Sequence, residues 1–188
     1  MLTEKYKDFI ERTAKKIQRS LPSFEAPNKY DFSEVHNWLK GSGAQISCGA
    51  TNRTMGNVIY LNFIKSEKDF AKAITNDFEK SKILFHEMWH FISNKLYAIE
   101  NGDELSEKNS VDLCGEFADK SISPIEISAN YFSRAMLFPE KEFVQTVMQN
   151  VDVNGNCDIF KVAECFSSSY TDVIARGNDL NLWNTKVG

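Results

Sequence analysis

The spacing of apolar and polar positions predicts that the chain begins with two helices. In the first twenty residues apolar side chains recur every three or four positions, which predicts an amphipathic helix that ends before Pro22. After a connector, Asp31 or Ser33 can cap a short second helix that runs through Lys40 and stops at the sequence GSG.

The next part of the chain changes to the two-residue period of extended strands. Residues 44–48 and 57–63 each have the composition of a strand, and the turn-rich sequence GATNRTMG joins them. Two strands connected by one turn run in opposite directions. The sequence therefore predicts a small antiparallel sheet.

The rest of the chain is mainly helical by the same criterion. The polar segment 101–121 is predicted as a loop, and NVDVNGNCD is predicted as a turn. The predicted helices lie at about 67–98, with the strongest pattern over 79–98, and at 124–138, 139–148, 158–166 and 169–180. The predicted fold class is therefore α+β, mainly helical. We expect residues 1–150 to form the main domain and 151–188 a small helical segment packed on it as one compact unit.

Composition excludes several classes of partner and compartment. The net charge of −4 does not suit nucleic acid or an anionic membrane. No segment has the roughly 18 consecutive apolar residues of a membrane span, and the N-terminus lacks the apolar core of a signal peptide. The four cysteines form no CxxC pair, so we expect reduced thiols and a cytoplasmic location.

One apolar stretch carries an isolated cluster of polar groups. From position 83 to 92 every residue is apolar except His86, Glu87 and His90, which spell H-E-x-x-H. On a helix, residues four apart share a face, so the two histidines can bind one Zn²⁺ at about 2.0–2.1 Å. Glu87 lies about 60° around the helix from His90, where it can act as a general base without being a ligand. A buried charge needs a partner or a metal, which favours a zinc site over a core histidine pair.

The spacing leaves the third metal ligand open. The chain has three histidines, so a third histidine downstream of the motif is excluded, and His36 lies far upstream. Among carboxylates, Glu126 is the best candidate because it opens an apolar helix that must pack on another element. His36, Glu116 and Asp119 remain alternatives.

Glu126 also has a purely structural interpretation. Ser123, Pro124 and Glu126 occupy the N-cap, N1 and N3 positions of a capping box, which by itself would explain the glutamate. Asn130 lies four residues further on the same helix face. An amide there can accept a hydrogen bond from a ligand histidine and fix its tautomer.

Beyond the central motif, several stretches resemble the ImmA/IrrE family of metallopeptidases. FHEMWH followed by EISANYFSRAMLFP is similar to the family's HExGH helix and its E-x-x-A-N-x-F-A segment, in which Glu126, Ala129, Asn130 and Phe132 match. GNVIYLN resembles the strand before the catalytic helix, and VAECFSSSYTDVIARGNDLNLW resembles the C-terminal segment. The resemblance covers roughly residues 33 to 183.

The resemblance implies a zincin-like fold and a specific site. His86, His90 and Glu126 would bind one Zn²⁺, Glu87 would be the base, and Asn130 would support a ligand histidine. The implied activity is hydrolysis of a peptide bond in a protein, namely a helix-turn-helix repressor of a phage or mobile element. No direct binding of nucleic acid or membrane is expected.

Three departures from the family pattern concern the shape of the site rather than its chemistry. Trp89 replaces the small residue before the second histidine, the family's A-x-L-L-M-P run is SRAMLFP, and the family's C-terminal R-L is Arg176-Gly177 in this chain. The ring of Trp89 is expected either to crowd the neighbouring element or to line a pocket.

The sequence also offers candidates for two further parts of a substrate site. An oxyanion needs a donor, and the candidates are Tyr60, Tyr97, Tyr131, Arg134 and backbone N–H groups. The strand at 57–62 is expected to form the sheet edge beside the metal, where an extended substrate could add as a further strand.

A second function would follow if the C-terminal helices bound DNA. Residues 158–182 faintly resemble a helix-turn-helix, which suggests a metal-binding regulatory protein without peptidase activity. However, residues 140–188 carry seven acidic and four basic side chains, a poor phosphate-binding balance. A purely structural zinc site is a third option, but it would leave Glu87 without a role and usually uses four ligands.

Overall fold

The computed structural model describes residues 2–25, 28–101 and 123–184 of the chain. Within these ranges the chain forms eight α-helices and one three-stranded sheet, so the α+β, mainly helical class is confirmed. Short 3₁₀ turns lie at Glu67–Asp69 and Leu182–Asn184. The elements are α1 (Glu4–Arg19), α2 (Phe32–Gly41), β1 (Gln45–Cys48), β2 (Arg53–Met55), β3 (Val58–Leu61), α3 (Phe70–Ile74), α4 (Phe78–Asn101), α5 (Pro124–Leu137), α6 (Glu140–Gln149), α7 (Ile159–Cys165) and α8 (Tyr170–Asp179).

Side-chain caps fix where several helices begin. The Thr3 hydroxyl accepts from the Tyr6 amide at the start of α1, and Asp31 accepts from the Ser33 amide at the start of α2. These caps satisfy amide groups that have no partner within the helix. The predicted cap Asp31 is therefore confirmed.

The sheet differs from the predicted antiparallel pair. β1 runs parallel to β3, and β2 runs antiparallel to β3, in the order β1-β3-β2. The prediction missed β2, which lies inside the segment assigned to a single turn. A tight turn at Gly56, whose φ of +57° favours glycine, joins β2 to β3. Because β2 reverses the chain once more, β3 returns parallel to β1.

The predicted helix at 67–98 is interrupted before the motif. Asn76 has a φ of +62°, which ends α3 and its short extension. The Asp77 carboxylate then accepts from the Lys80 amide at 3.0 Å, so α4 begins with its own cap.

Helix α4 passes through the centre of the protein between α5 and the sheet. Its apolar residues fill the core, and α1 packs against α5 and reaches Trp89 of α4. None of the helices in the described ranges is long and apolar enough to cross a membrane. The side chains of α4 that are almost entirely buried include Leu84, Phe85, Met88, Trp89 and Phe91.

The C-terminal helices share this core. The buried Arg176 of α8 donates to both Glu11 carboxylate oxygens of α1, at 2.6 and 3.0 Å, and to the Phe138 carbonyl at 3.0 Å. The Phe166 ring contacts Phe138 and Phe143, with ring centroids 5.1 and 5.7 Å apart. A buried cation paired in this way holds the C-terminal segment against the N-terminal helix.

Packing explains why position 177 is a glycine where the resembled family pattern has leucine. A Cβ atom at position 177 would lie 2.0–2.2 Å from the Trp183 indole. The indole N–H also donates to the Ile174 carbonyl at 2.9 Å. The Trp183 ring therefore occupies the space that a side chain at position 177 would need.

Candidate metal centre

Helix α4 places the two histidines of the motif side by side. His86 and His90 lie four residues apart, so their side chains project from one face of the helix. Their Nε2 atoms are 3.1 Å apart, and the ring planes meet at 71°. The apolar residues around them keep α4 fixed in the core, and this orients the rings.

Helix α5 brings Glu126 to the same point. Its two carboxylate oxygens lie 3.1 Å from His86 Nε2 and 3.2 Å from His90 Nε2. Ser123 caps α5 by accepting from the Ile125 amide, so the predicted N-cap is confirmed. The Glu126 carboxylate, however, points at the histidines.

The three side chains form a group that could hold a metal ion. Ligand atoms bound tetrahedrally at about 2.0–2.1 Å are about 3.3–3.4 Å apart, close to the separations of 3.1–3.2 Å found between these atoms. The Glu126 side chain is 48% exposed, which leaves the centre open to solvent.

Asn130 selects the tautomer of one candidate ligand. Its amide oxygen Oδ1 lies 3.0 Å from His86 Nδ1 and can only accept a hydrogen bond, so Nδ1 carries the hydrogen. In a neutral His86, the Nε2 lone pair then faces the Glu126 carboxylate. Two acceptors at 3.1 Å repel each other unless a cation or proton lies between them, and this supports metal binding.

The pKa shifts of two side chains suit a metal ligand at His90 and a general base at Glu87. Burial holds the pKa of His90 below its ordinary value, which favours the neutral imidazole that a metal requires. Burial raises the pKa of Glu87, and a hydrogen bond from Thr54 opposes that rise. A raised pKa is typical of a carboxylate that accepts protons near neutral pH.

Thr54 is a contact of the proposed base that is absent from the residues predicted from sequence. It lies in β2, the strand hidden in the predicted turn, and its hydroxyl is 3.0 Å from Glu87 Oε2. The alternation of apolar residues could not reveal a strand of three residues. The predicted edge strand is also wrong, since β3 lies in the middle of the sheet and β2 at the edge next to α4.

Trp89 joins the two helices that carry the ligands. Its indole N–H donates to Ser128 Oγ of α5 at 2.8 Å, and its ring stacks on Phe132 with centroids 4.6 Å apart. The ring also meets Tyr6 and Phe9 of α1 edge-on. The bulky residue in the motif therefore packs in the core between α4, α5 and α1.

The alternative ligands are not at the centre, as far as the described residues go. His36 Nε2 lies 3.0 Å from Glu67 Oε1, and the imidazole stacks on Phe70. Glu116 and Asp119 lie outside the described residues.

Two of the candidate oxyanion donors already have other partners. Tyr131 is buried beneath the Arg176 guanidinium, and burial strongly raises the pKa of its hydroxyl. Arg134 forms a two-bond pair with Asp179. The side chain of Tyr97 lies outside the described residues.

Tyr60, the remaining side-chain candidate, faces away from α4. Ile59 pairs directly with Thr54 across the sheet, so these two side chains share the face toward the helix. Because successive strand residues alternate faces, Tyr60 lies on the opposite face, where Arg53 covers its ring at 5.4 Å.

Ion pairs join helix α8 to both of the helices that carry the candidate ligands. Lys82 of α4 pairs with Asp172 at 2.6 Å, and Arg134 of α5 pairs with Asp179. Lys82 lies four residues from His86, and Arg134 lies four residues from Asn130 and eight from Glu126. The C-terminal helix therefore joins α4 and α5 on the side of Asn130 rather than beside Glu126.

The C-terminal helices present few basic groups. In α7 and α8 the basic side chains are Lys161, which pairs with Asp158, and Arg176, which is buried. A helix that enters a DNA groove needs exposed cations for the phosphates. This distribution of charge does not favour DNA binding by α8.

Compared with known proteins, the chain matches no family model, no curated protein and no solved structure.

Proposed function

We propose that this protein is a zinc-dependent endopeptidase of the ImmA/IrrE type with a zincin-like fold. The observation that carries the proposal is the convergence of His86, His90 and Glu126, with Glu87 one residue from the first ligand on α4. The open ligand set supports a catalytic role, since three protein ligands leave room for a reacting group.

The three ligands would hold zinc, and Zn²⁺ bound in this way supplies Lewis acidity that lowers the pKa of water and polarises a carbonyl. Asn130 keeps the hydrogen of His86 on Nδ1 and leaves Nε2 free to bind. Glu87 takes a proton from the attacking water and passes it to the leaving amine.

The substrate backbone is proposed to bind along β2. In the described part of the chain, β2 pairs with β3 and with no other strand. Its outer side can therefore hydrogen bond to an extended peptide. Thr54 connects this strand to Glu87, which would bring a bound peptide close to the base.

The proposed substrate is a helix-turn-helix repressor of a phage or mobile element, as the motif resemblance implies. We place the activity in the cytoplasm, where such repressors act. Cys48, Cys157 and Cys165 are unpaired, which is consistent with a reducing compartment.

A cleavage assay tests the proposal. Zinc-equilibrated wild type and Glu87→Gln are incubated with a mixture of synthetic 14-residue peptides, and products are identified by mass spectrometry. We expect cleavage within peptides by the wild type and at least about 100-fold slower cleavage by Glu87→Gln. Glu79→Gln, an exposed position on the same helix, is the matched control and should cleave normally.

Two outcomes would overturn the proposal: no cleavage by zinc-loaded wild type, or equal cleavage by Glu87→Gln. Zinc binding without any cleavage would favour the metal-binding regulatory protein. If peptides are cleaved, a helix-turn-helix repressor is the first protein substrate to test.

A further inference from the structure

Thr54 of β2 contacts the proposed base from the sheet. Its hydroxyl lies 3.0 Å from Glu87 Oε2 and 2.9 Å from the Glu87 carbonyl oxygen. We propose that Thr54 is a positioning residue that holds the Glu87 carboxylate in its working orientation. This inference rests on the proposed peptidase function and names a residue that the motif does not contain.

The Glu87 carboxylate needs such a partner because it is nearly buried. Glu87 is 6% exposed, so water can solvate it only in part. A glutamate side chain has three rotatable bonds, and a helix alone does not select one rotamer. The hydrogen bond from Thr54 compensates for part of the lost solvation and favours the rotamer that reaches β2.

The contact with the Glu87 carbonyl oxygen holds the Thr54 hydroxyl in place. The hydroxyl has one hydrogen and can donate to the carboxylate or to the carbonyl oxygen of the same residue. Both acceptors belong to Glu87, so the strand is held at a set distance from α4 at that residue. The position of the donor and the orientation of the carboxylate are therefore determined together.

The role of Thr54 is separate from binding zinc or the substrate backbone. It contacts none of the three ligand atoms, and its side chain points from β2 toward α4. A peptide added to the outer side of β2 would use backbone groups, which a substitution of the side chain leaves in place. Loss of the hydroxyl should lower kcat and leave KM nearly unchanged.

The experiment compares Thr54→Val, which keeps the shape but loses the hydroxyl, with Thr54→Ser, which keeps the hydroxyl. The probe is the peptide that wild type cleaves fastest in the synthetic mixture. We expect Thr54→Val to lower kcat at least about tenfold with KM changed less than about twofold, while Thr54→Ser stays within about threefold of wild type. Thr51→Val, at an exposed position before β2, is the control and should match wild type.

A second readout does not depend on activity. Chemical denaturation midpoints are measured for zinc-equilibrated wild type, Thr54→Val, Glu87→Met and the double variant. If the Thr54 hydroxyl stabilises the Glu87 carboxylate, Thr54→Val lowers the midpoint more when residue 87 is glutamate than when it is methionine. Equal midpoint shifts in the two backgrounds would show that the hydroxyl does not stabilise the carboxylate, and the positioning role would be wrong.

The two proposals fail in different ways. If wild type cleaves peptides and Thr54→Val cleaves with the same kcat, the positioning role is wrong and the peptidase stands. A Thr54→Ser variant as slow as Thr54→Val would also overturn it. If wild type cleaves nothing, the peptidase and the positioning role both fall, and the midpoints then report only a structural contact.

Discussion

The indole N–H of Trp89 donates to Ser128 Oγ at 2.8 Å, and this hydrogen bond joins α4 to α5 within a few residues of all three candidate ligands. Both side chains are buried. The Ser128 hydroxyl in turn donates to the Ile125 carbonyl at 2.8 Å, in the first turn of α5. The residue inside the H-E-x-x-H motif thus helps to set where Glu126 lies.

Removing the acceptor should destabilise the protein. In Ser128→Ala the Trp89 N–H stays buried without a partner, which we expect to lower the free energy of unfolding by about 1–3 kcal/mol. Ser133→Ala is the control, because the buried Ser133 hydroxyl donates only within its own helix, to the Asn130 carbonyl. Denaturant unfolding measures both, and an equal loss in the two variants would contradict a special role for the bond between helices.

Glu126→Ala should abolish most of the zinc binding. The carboxylate supplies one of three ligand atoms and the negative charge of the centre, so its loss leaves only the two imidazoles. Metal content of the purified proteins should be about one zinc per chain for wild type and far less for the variant. Glu140→Ala, an exposed acid in the first turn of α6, should keep its zinc. Full zinc content in Glu126→Ala would move the search for the ligand to Glu116 and Asp119.

Asn130→Ala should weaken zinc binding without removing it. Loss of the acceptor frees the His86 tautomer, and support of this kind is worth about 10–100-fold in metal affinity. Competition with a chromophoric chelator gives the zinc Kd of each variant. Asn130→Asp keeps an acceptor and should bind more tightly than Asn130→Ala, and Asn178→Ala on the exposed side of α8 should match wild type. Unchanged affinity in Asn130→Ala would show that the hydrogen bond does not support the ligand.

Gly177→Ala should be destabilising although alanine is the better helix former. The new methyl group would meet the Trp183 indole at 2.0–2.2 Å, so the ring or α8 must shift. We expect a loss of about 1–3 kcal/mol in the free energy of unfolding. Gly41→Ala is the control, since no atom lies within 4 Å of a Cβ at that position. Thermal or denaturant unfolding compares the two, and a stabilised Gly177→Ala would contradict the packing.

Local sequence patterns predicted most of the helices of this protein. The apolar spacing that predicted α1 matches the buried side chains of Ile10, Ala14 and Ile17, and the caps Asp31 and Ser123 begin α2 and α5. The pairing of His86 with His90 also followed from sequence, because four residues make about one helical turn. These features depend on neighbours within a few positions.

Tertiary structure determined the features that bring together residues far apart in the chain. Sequence left Glu126 between a helix cap and a ligand, and only the packing of α4 on α5 brought its carboxylate within 3.2 Å of the histidines. Strand β2 is too short for a periodic signal, so neither the mixed sheet nor the contact of Thr54 with Glu87 could be predicted. Trp89 is buried because α1 and α5 enclose it, and no local pattern specifies that enclosure.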